Sequence, residues 1–164
     1  MNRLLLLALV PSILFTAAGC TTWRSLEPGG STLADVQATM GAPAEERRVG
    51  AETWLYYPNQ PFGRKVNVAR VAPDGKLIGV EQRLSEEYIA KLVPNQSRSD
   101  DVLALFGQPY ERLKFPRMER DTWTWHMRQY GNLPATLNVQ MSPDGVVREI
   151  YVLDENNKSD AKKR

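Results

Sequence analysis

One cysteine and one histidine among 164 residues leave little metal or nucleophilic chemistry open to this chain. A lone thiol forms no internal disulfide, so packing alone must hold the fold together. His126 is the single imidazole, and no cluster of His, Cys and carboxylate stands at ligand spacing, so neither a metal site nor a catalytic triad is expected. Gly29-Gly30 lacks the lysine and the preceding strand of a phosphate loop. Charge of one sign is also scarce: 21 Lys and Arg face 19 Asp and Glu, a net +2, too small a surplus for a nucleic-acid binder. No apolar run approaches the roughly 20 residues of a membrane helix. The expectation is a protein that catalyses nothing and uses no cofactor.

What is present starts at the amino end, where Arg3 precedes an apolar run from Leu4 to Phe15 and then Thr16-Ala17-Ala18-Gly19-Cys20. Twelve helical residues cover about 18 Å, well short of a bilayer core of about 30 Å, and Pro11 weakens the helix further. Residues 1–19 therefore read as a secretion signal. The small residues before the cysteine are similar to a bacterial lipobox, which implies cleavage after Gly19 and lipidation of Cys20. The rival reading is an ordinary cleaved signal with an incidental cysteine. Without residues 1–19 the chain keeps 145 residues and a net charge of +1, enough for two compact units sharing a core.

The body of the chain is duplicated. Trp23 to Pro43 recurs 66 residues later as Ile89 to Pro109, with eight of 21 positions identical, among them Leu26/Leu92, Ser31/Ser97, Asp35/Asp101, Gly41/Gly107 and Pro43/Pro109. Trp54-Leu55-Tyr56 answers to Trp123-Thr124-Trp125 at a spacing of 69, and Pro73-Asp74-Gly75 to Pro143-Asp144-Gly145 at 70. The drift marks short insertions in surface loops. A first unit at 20–84, a second at 85–153 and a disordered tail at 154–164 follow.

Each unit carries the punctuation of a helix: Ser31 or Ser97 as cap, Asp35 or Asp101 in the first turn, Gly41 or Gly107 to close it and Pro43 or Pro109 to forbid continuation. Ser85 to Leu92 reads as a further short helix, giving helix, turn, helix. Downstream the apolar period becomes two, and Pro-Asp-Gly joins β-rich runs at 66–71 with 77–80 and at 137–141 with 146–152, as hairpins do. Weaker strands are expected at 45–49 and 110–115. The fold class is α+β: two tandem units, each a helix-turn-helix packed on a three- or four-stranded antiparallel sheet.

The order of helix, Gly-x-Pro, strand, Trp-x-aromatic and Pro-Asp-Gly hairpin, present from Trp23 to about Val152, resembles the BamE (SmpA/OmlA) family of outer-membrane lipoproteins. The tandem arrangement is similar to the β-lactamase inhibitor proteins. The first resemblance implies a lipid-anchored, periplasm-facing accessory of an envelope complex such as the β-barrel assembly machinery, and Thr21 after the cysteine implies the outer membrane. The second implies a clamp that blocks a periplasmic or extracellular enzyme through a concave sheet.

Trp54, Tyr56, Trp123 and Trp125 are read as core beneath the helices, since such rings bury large apolar area. Their alternates Leu55, Tyr57, Thr124, His126 and Arg128 then face the other way, onto a partner or simply onto water. The loops at 58–63 and 129–134 each present an aromatic, Phe62 and Tyr130, among turn residues. Partner contact is thus expected at Tyr57, Phe62, Thr124, His126, Arg128 and Tyr130. Arg112, Lys114, Arg117, Arg120 and Arg128 outnumber Glu111, Glu119 and Asp121, a modest basic surplus that reads either as ordinary solvated charge or as contact with anionic headgroups.

Overall fold

The computed structural model describes residues 23–130 and 132–155. A 3-10 turn (Trp23–Ser25) leads into helix α1 (Leu33–Met40) and strands β1 (Glu45–Val49), β2 (Glu52–Asn59), β3 (Lys65–Val71) and β4 (Leu77–Gln82). A single-turn helix α2 (Glu86–Ile89) and helix α3 (Ser99–Phe106) precede β5 (Glu111–Phe115), β6 (Arg120–Gln129), β7 (Leu133–Met141) and β8 (Val147–Asp154). Both sheets are antiparallel meanders of four strands, β1-β2-β3-β4 and β5-β6-β7-β8.

The described residues are therefore mostly β, with three short α-helices, and the expected pair of helix-turn-helix units on sheets is overturned. Before α3 only four residues become helical, and before α1 only a 3-10 turn. A segment of one turn makes too few backbone bonds to offset its nucleation. The expected serine caps are displaced too. Ser31 and Ser97 accept from the Glu27 and Val93 amides and so close the preceding turn, while the capping positions are Thr32 and Arg98.

Duplication extends to individual backbone bonds. The Leu33 and Ser99 amides, first in their helices, donate to the Gly75 and Gly145 carbonyls at 3.0 and 2.8 Å, so each Pro-Asp-Gly turn caps its own unit's helix. Leu77 and Val147 donate to the Ser31 and Ser97 carbonyls, and both hairpins carry an irregularity at the same place, Arg70/Val71 and Gln140/Met141. Glycine is required at these tips: φ is +82° at Gly75 and +77° at Gly145, where a Cβ would also stand 3.2 Å from Ser99 Oγ.

Equivalence along the central strands differs from the aromatic match. Glu45 pairs with Tyr56 and Glu111 with Thr124, and the Ala44 and Tyr110 amides donate to the Tyr56 and Thr124 carbonyls. Tyr56 is thus the counterpart of Thr124, Leu55 of Trp123 and Tyr57 of Trp125. Slipping a strand by one residue exchanges its faces. Accordingly Leu55, with Ala69, Val71 and Leu77, packs on Val36 of α1, whereas Trp54, Tyr56, Val66 and Val68 point to the opposite side.

That opposite side is where α3 lies. Phe106 and Val102 share one core with Tyr56, Val66 and Val68 of the first sheet and with Trp123, Trp125, Met127, Leu137 and Val139 of the second. The layer order is α1, first sheet, α2 with α3, second sheet. Tyr56 donates to the Ala104 carbonyl at 2.6 Å, satisfying one of the acceptors that a helix leaves free at its carboxyl end. Trp125 Nε1 donates to the Gln108 carbonyl at 3.1 Å, and its ring lies 5.7 Å from Phe106.

Candidate functional site

The outer face of the second sheet is built from residues that alternate with the Trp123-Trp125-Met127 row. Register places Leu113, Thr122, Gln140 and Glu149 in one row, Glu111, Thr124, Asn138 and Tyr151 in the next, and His126, Thr136 and Leu153 beyond. Among the described residues α1, α2 and α3 all pack elsewhere in the stack, so none of them lies over this face. Its centre is polar: Thr124 Oγ1 donates to Asn138 Oδ1 at 2.9 Å, and Asn138 Nδ2 donates to Thr136. Thr122, 3% exposed, has a buried Oγ1 with no hydrogen-bond partner among the described residues.

The six residues expected to contact a partner do not gather in one place. Thr124, only 8% exposed, belongs to this outer face and is engaged by Asn138. Tyr57 is half-buried on the α1 side of the first sheet, its hydroxyl 3.3 Å from the Gly41 carbonyl. Among the described residues Phe62 and Tyr130 are the most exposed of the large apolar side chains, at 89% and 78%. Arg128 is exposed and donates to the Asn132 carbonyl at 2.9 Å. Cys20 and residues 156–164 fall outside the described residues. The last strand runs through Asp154, the first residue of the expected tail.

His126 turns out to be a junction between the units. Its amide donates to Gln60 Oε1 at 2.8 Å, and Gln60 Nε2 donates to its carbonyl at 2.7 Å. β5 has ended by this point of β6, so the Gln60 carboxamide supplies the pairing that a neighbouring backbone would otherwise give. Nδ1 of His126 stands 2.8 Å from Glu155 Oε1, and the ring meets Tyr110 edge-on at 4.9 Å. Arg64, from the same loop as Gln60, forks onto both Glu155 oxygens at 2.8 Å. This fork, with help from His126, holds the Glu155 carboxyl down at about 2 despite the opposing effect of burial. The loop expected to bind a partner through 58–63 therefore spends Gln60 and Arg64 on the second unit and leaves Phe62 outward.

A second polar cluster carried no sequence signal, because its members are scattered through residues 52–88. Arg83, 3% exposed, lies 4.5 Å from both the Trp54 and Tyr88 rings and pairs with Glu81 at 2.7 Å. Arg70 forks onto Glu52 at 2.7 and 2.8 Å and reaches Glu81 at 3.2 Å. The Arg70 guanidinium, then the Trp54 indole, keep Glu52 at about 2. Every charge here has a counter-charge or a ring, which suits a clamp between α2 and the first sheet. Among the described residues no group of three or more His, Cys, Asp or Glu is placed to hold a metal, and no helix is long and apolar enough to cross a membrane.

No protein-family model matches this chain, and no curated protein does. Among solved structures, the crystal structure of a DUF4309 family protein (YjgB) from Bacillus subtilis subsp. subtilis str. 168 is similar over 80% of this chain and 84% of that chain, at 14% identity and a TM-score of 0.31. Likeness at that level extends neither to family nor to function.

Proposed function

We propose that this protein is a lipid-anchored interaction module of the bacterial envelope, held by Cys20 on the periplasmic side of the outer membrane, where it supports an envelope protein complex such as the β-barrel assembly machinery. It catalyses nothing and binds no nucleic acid. The observation that carries the reading is the inequality of the two sheets. The inner face of the first is roofed by α3 of the second unit, whereas the corresponding face of the second sheet has no helix over it and is lined by hydrogen-bonding side chains. An antiparallel face of Thr, Asn, Gln and Tyr suits a protein surface that brings its own donors and acceptors. The lipobox-like sequence at Cys20 supports the anchor, which would concentrate the module beside membrane-embedded partners.

Photo-crosslinking residues placed at Gln140 and Tyr151 in intact cells test this, with Lys76 on the first unit's hairpin as control. Adducts from 140 and 151 with an envelope membrane protein are expected. Adducts with one soluble enzyme would instead make the module an inhibitor-like clamp, and adducts from Lys76 alone would remove this face from the function.

A further inference from the structure

We infer that the module stands end-on to the bilayer, with the two loop tips carrying Phe62 and Tyr130 seated in the headgroup region beside the anchored amino terminus. This rests on the reading of Cys20 as the anchor and adds which end of the fold meets lipid. Three observations bring that end together. Gln60 and Arg64 tie the β2–β3 loop to His126, the Ala135 carbonyl and Glu155, so Phe62 between them lies at the end of the second sheet where β6 turns through Tyr130 into β7. Both rings project into solvent, as do Trp23 and Leu133 at 43% and 45% exposure. Trp23 and Arg24 share a cleft with Pro58 and Asn59 at the root of the same loop, so the described chain begins at this end.

Cys20 precedes Trp23 by three residues, and its Cα therefore lies within about 11 Å of the Trp23 Cα. An acylated Cys20 must then bring this end of the molecule to the membrane. Trp, Tyr and Phe are the side chains that favour the interface between hydrocarbon and water. Arg24, Lys65 and Arg128 are exposed beside them and match anionic headgroups, while Glu155 is neutralised by Arg64. The other basic tip, the β5–β6 hairpin with Phe115, Arg117 and Met118, is at the opposite end of ten-residue β6, about 30 Å away. It is carried away from the lipid.

The full chain is purified from membranes, and its intact mass first reports whether Cys20 is acylated. An acylated cysteine leaves a single added thiol free for an environment-sensitive dye. Lys65→Cys, Asn132→Cys and Arg117→Cys are labelled and incorporated into phosphatidylethanolamine and phosphatidylglycerol vesicles. Dyes at 65 and 132 should shift to the blue and lose iodide quenching several-fold, the dye at 117 should not change, and adding Phe62→Ser with Tyr130→Ser should reverse the shift. Water-exposed dyes at 65 and 132, or a shielded dye at 117, would overturn the inference. A mass without acyl chains would sink the anchor instead. Cys20→Ser protein tethered to chelating lipid through an amino-terminal His tag then reports the orientation by itself.

Discussion

Tyr56 and Tyr57 are neighbours with opposite assignments, and replacing each by Phe separates the two registers that the strand could have. Tyr56 is 1% exposed and its hydroxyl bridges the units at 2.6 Å from the Ala104 carbonyl, near the end of α3. Tyr56→Phe removes that donor and leaves a part-buried carbonyl without it, a cost of about 1–3 kcal/mol. For a chain of this length that lowers the melting temperature by about 3–12 °C. Tyr57→Phe gives up a longer, solvent-exposed bond of 3.3 Å to Gly41 and should cost no more than about 0.5 kcal/mol. Urea titration followed by tryptophan fluorescence measures both, and equal or inverted costs would refute the layer order. Alkaline titration adds an independent check. Burial, the leading cause, pushes the Tyr56 phenol up from 10.0 to about 12. Below pH 10 it is protonated in both states and its contribution is complete. Between 10 and 12 the unfolded chain ionises first, so stability drains away as pH rises, and Tyr56→Phe should flatten that decline.

The two helix-closing glycines give a matched pair. Gly41 and Gly107 have φ of +82° and +67°, but a Cβ meets nothing within 4 Å at the first and comes 2.9 Å from the Tyr56 ring at the second. Both alanine variants should lose about 1–3 kcal/mol to backbone strain, with Gly107→Ala the worse of the two by calorimetry. An equal loss would show that α3 does not press on the first sheet. Glu155 predicts acid behaviour: Arg64 foremost holds its carboxyl at about 2 against an ordinary 4.5, so its contribution is complete above pH 4.5 and is lost as pH falls toward 2. Glu155→Gln should reduce the acid-side slope of an unfolding series, and an unchanged slope would remove the Arg64 fork from the stability of the junction.

Helix limits and hairpin turns were legible because glycine, proline and Asp-Gly act through local backbone geometry, and the expected closures at Gly41 and Gly107 coincide with the observed ends of α1 and α3. Pairing of the two units along the central strand was not. Trp54-x-Tyr56 and Trp123-x-Trp125 align by ring identity at 69 residues, whereas the hairpin before the second strand is two residues longer and makes the true spacing 68. Such a slip leaves the composition of the segment unchanged while exchanging what is roofed and what faces the neighbour. One clue did exist. Val66, Val68, Ala69 and Val71 place apolar side chains on both faces of β3, the pattern of a strand covered from two sides. The junction of Gln60, Arg64, His126 and Glu155 had no such clue, since its members stand up to 95 positions apart and meet only once the units dock.

Because α3 serves as ceiling for one sheet and floor for the other, the first unit depends on the second to cover its inner face. A gene trimmed back to its first copy would encode a strand assembly with Tyr56, Val66 and Val68 bared along one flank, sticky and prone to self-association. The second unit is thus the cover that keeps those side chains from water.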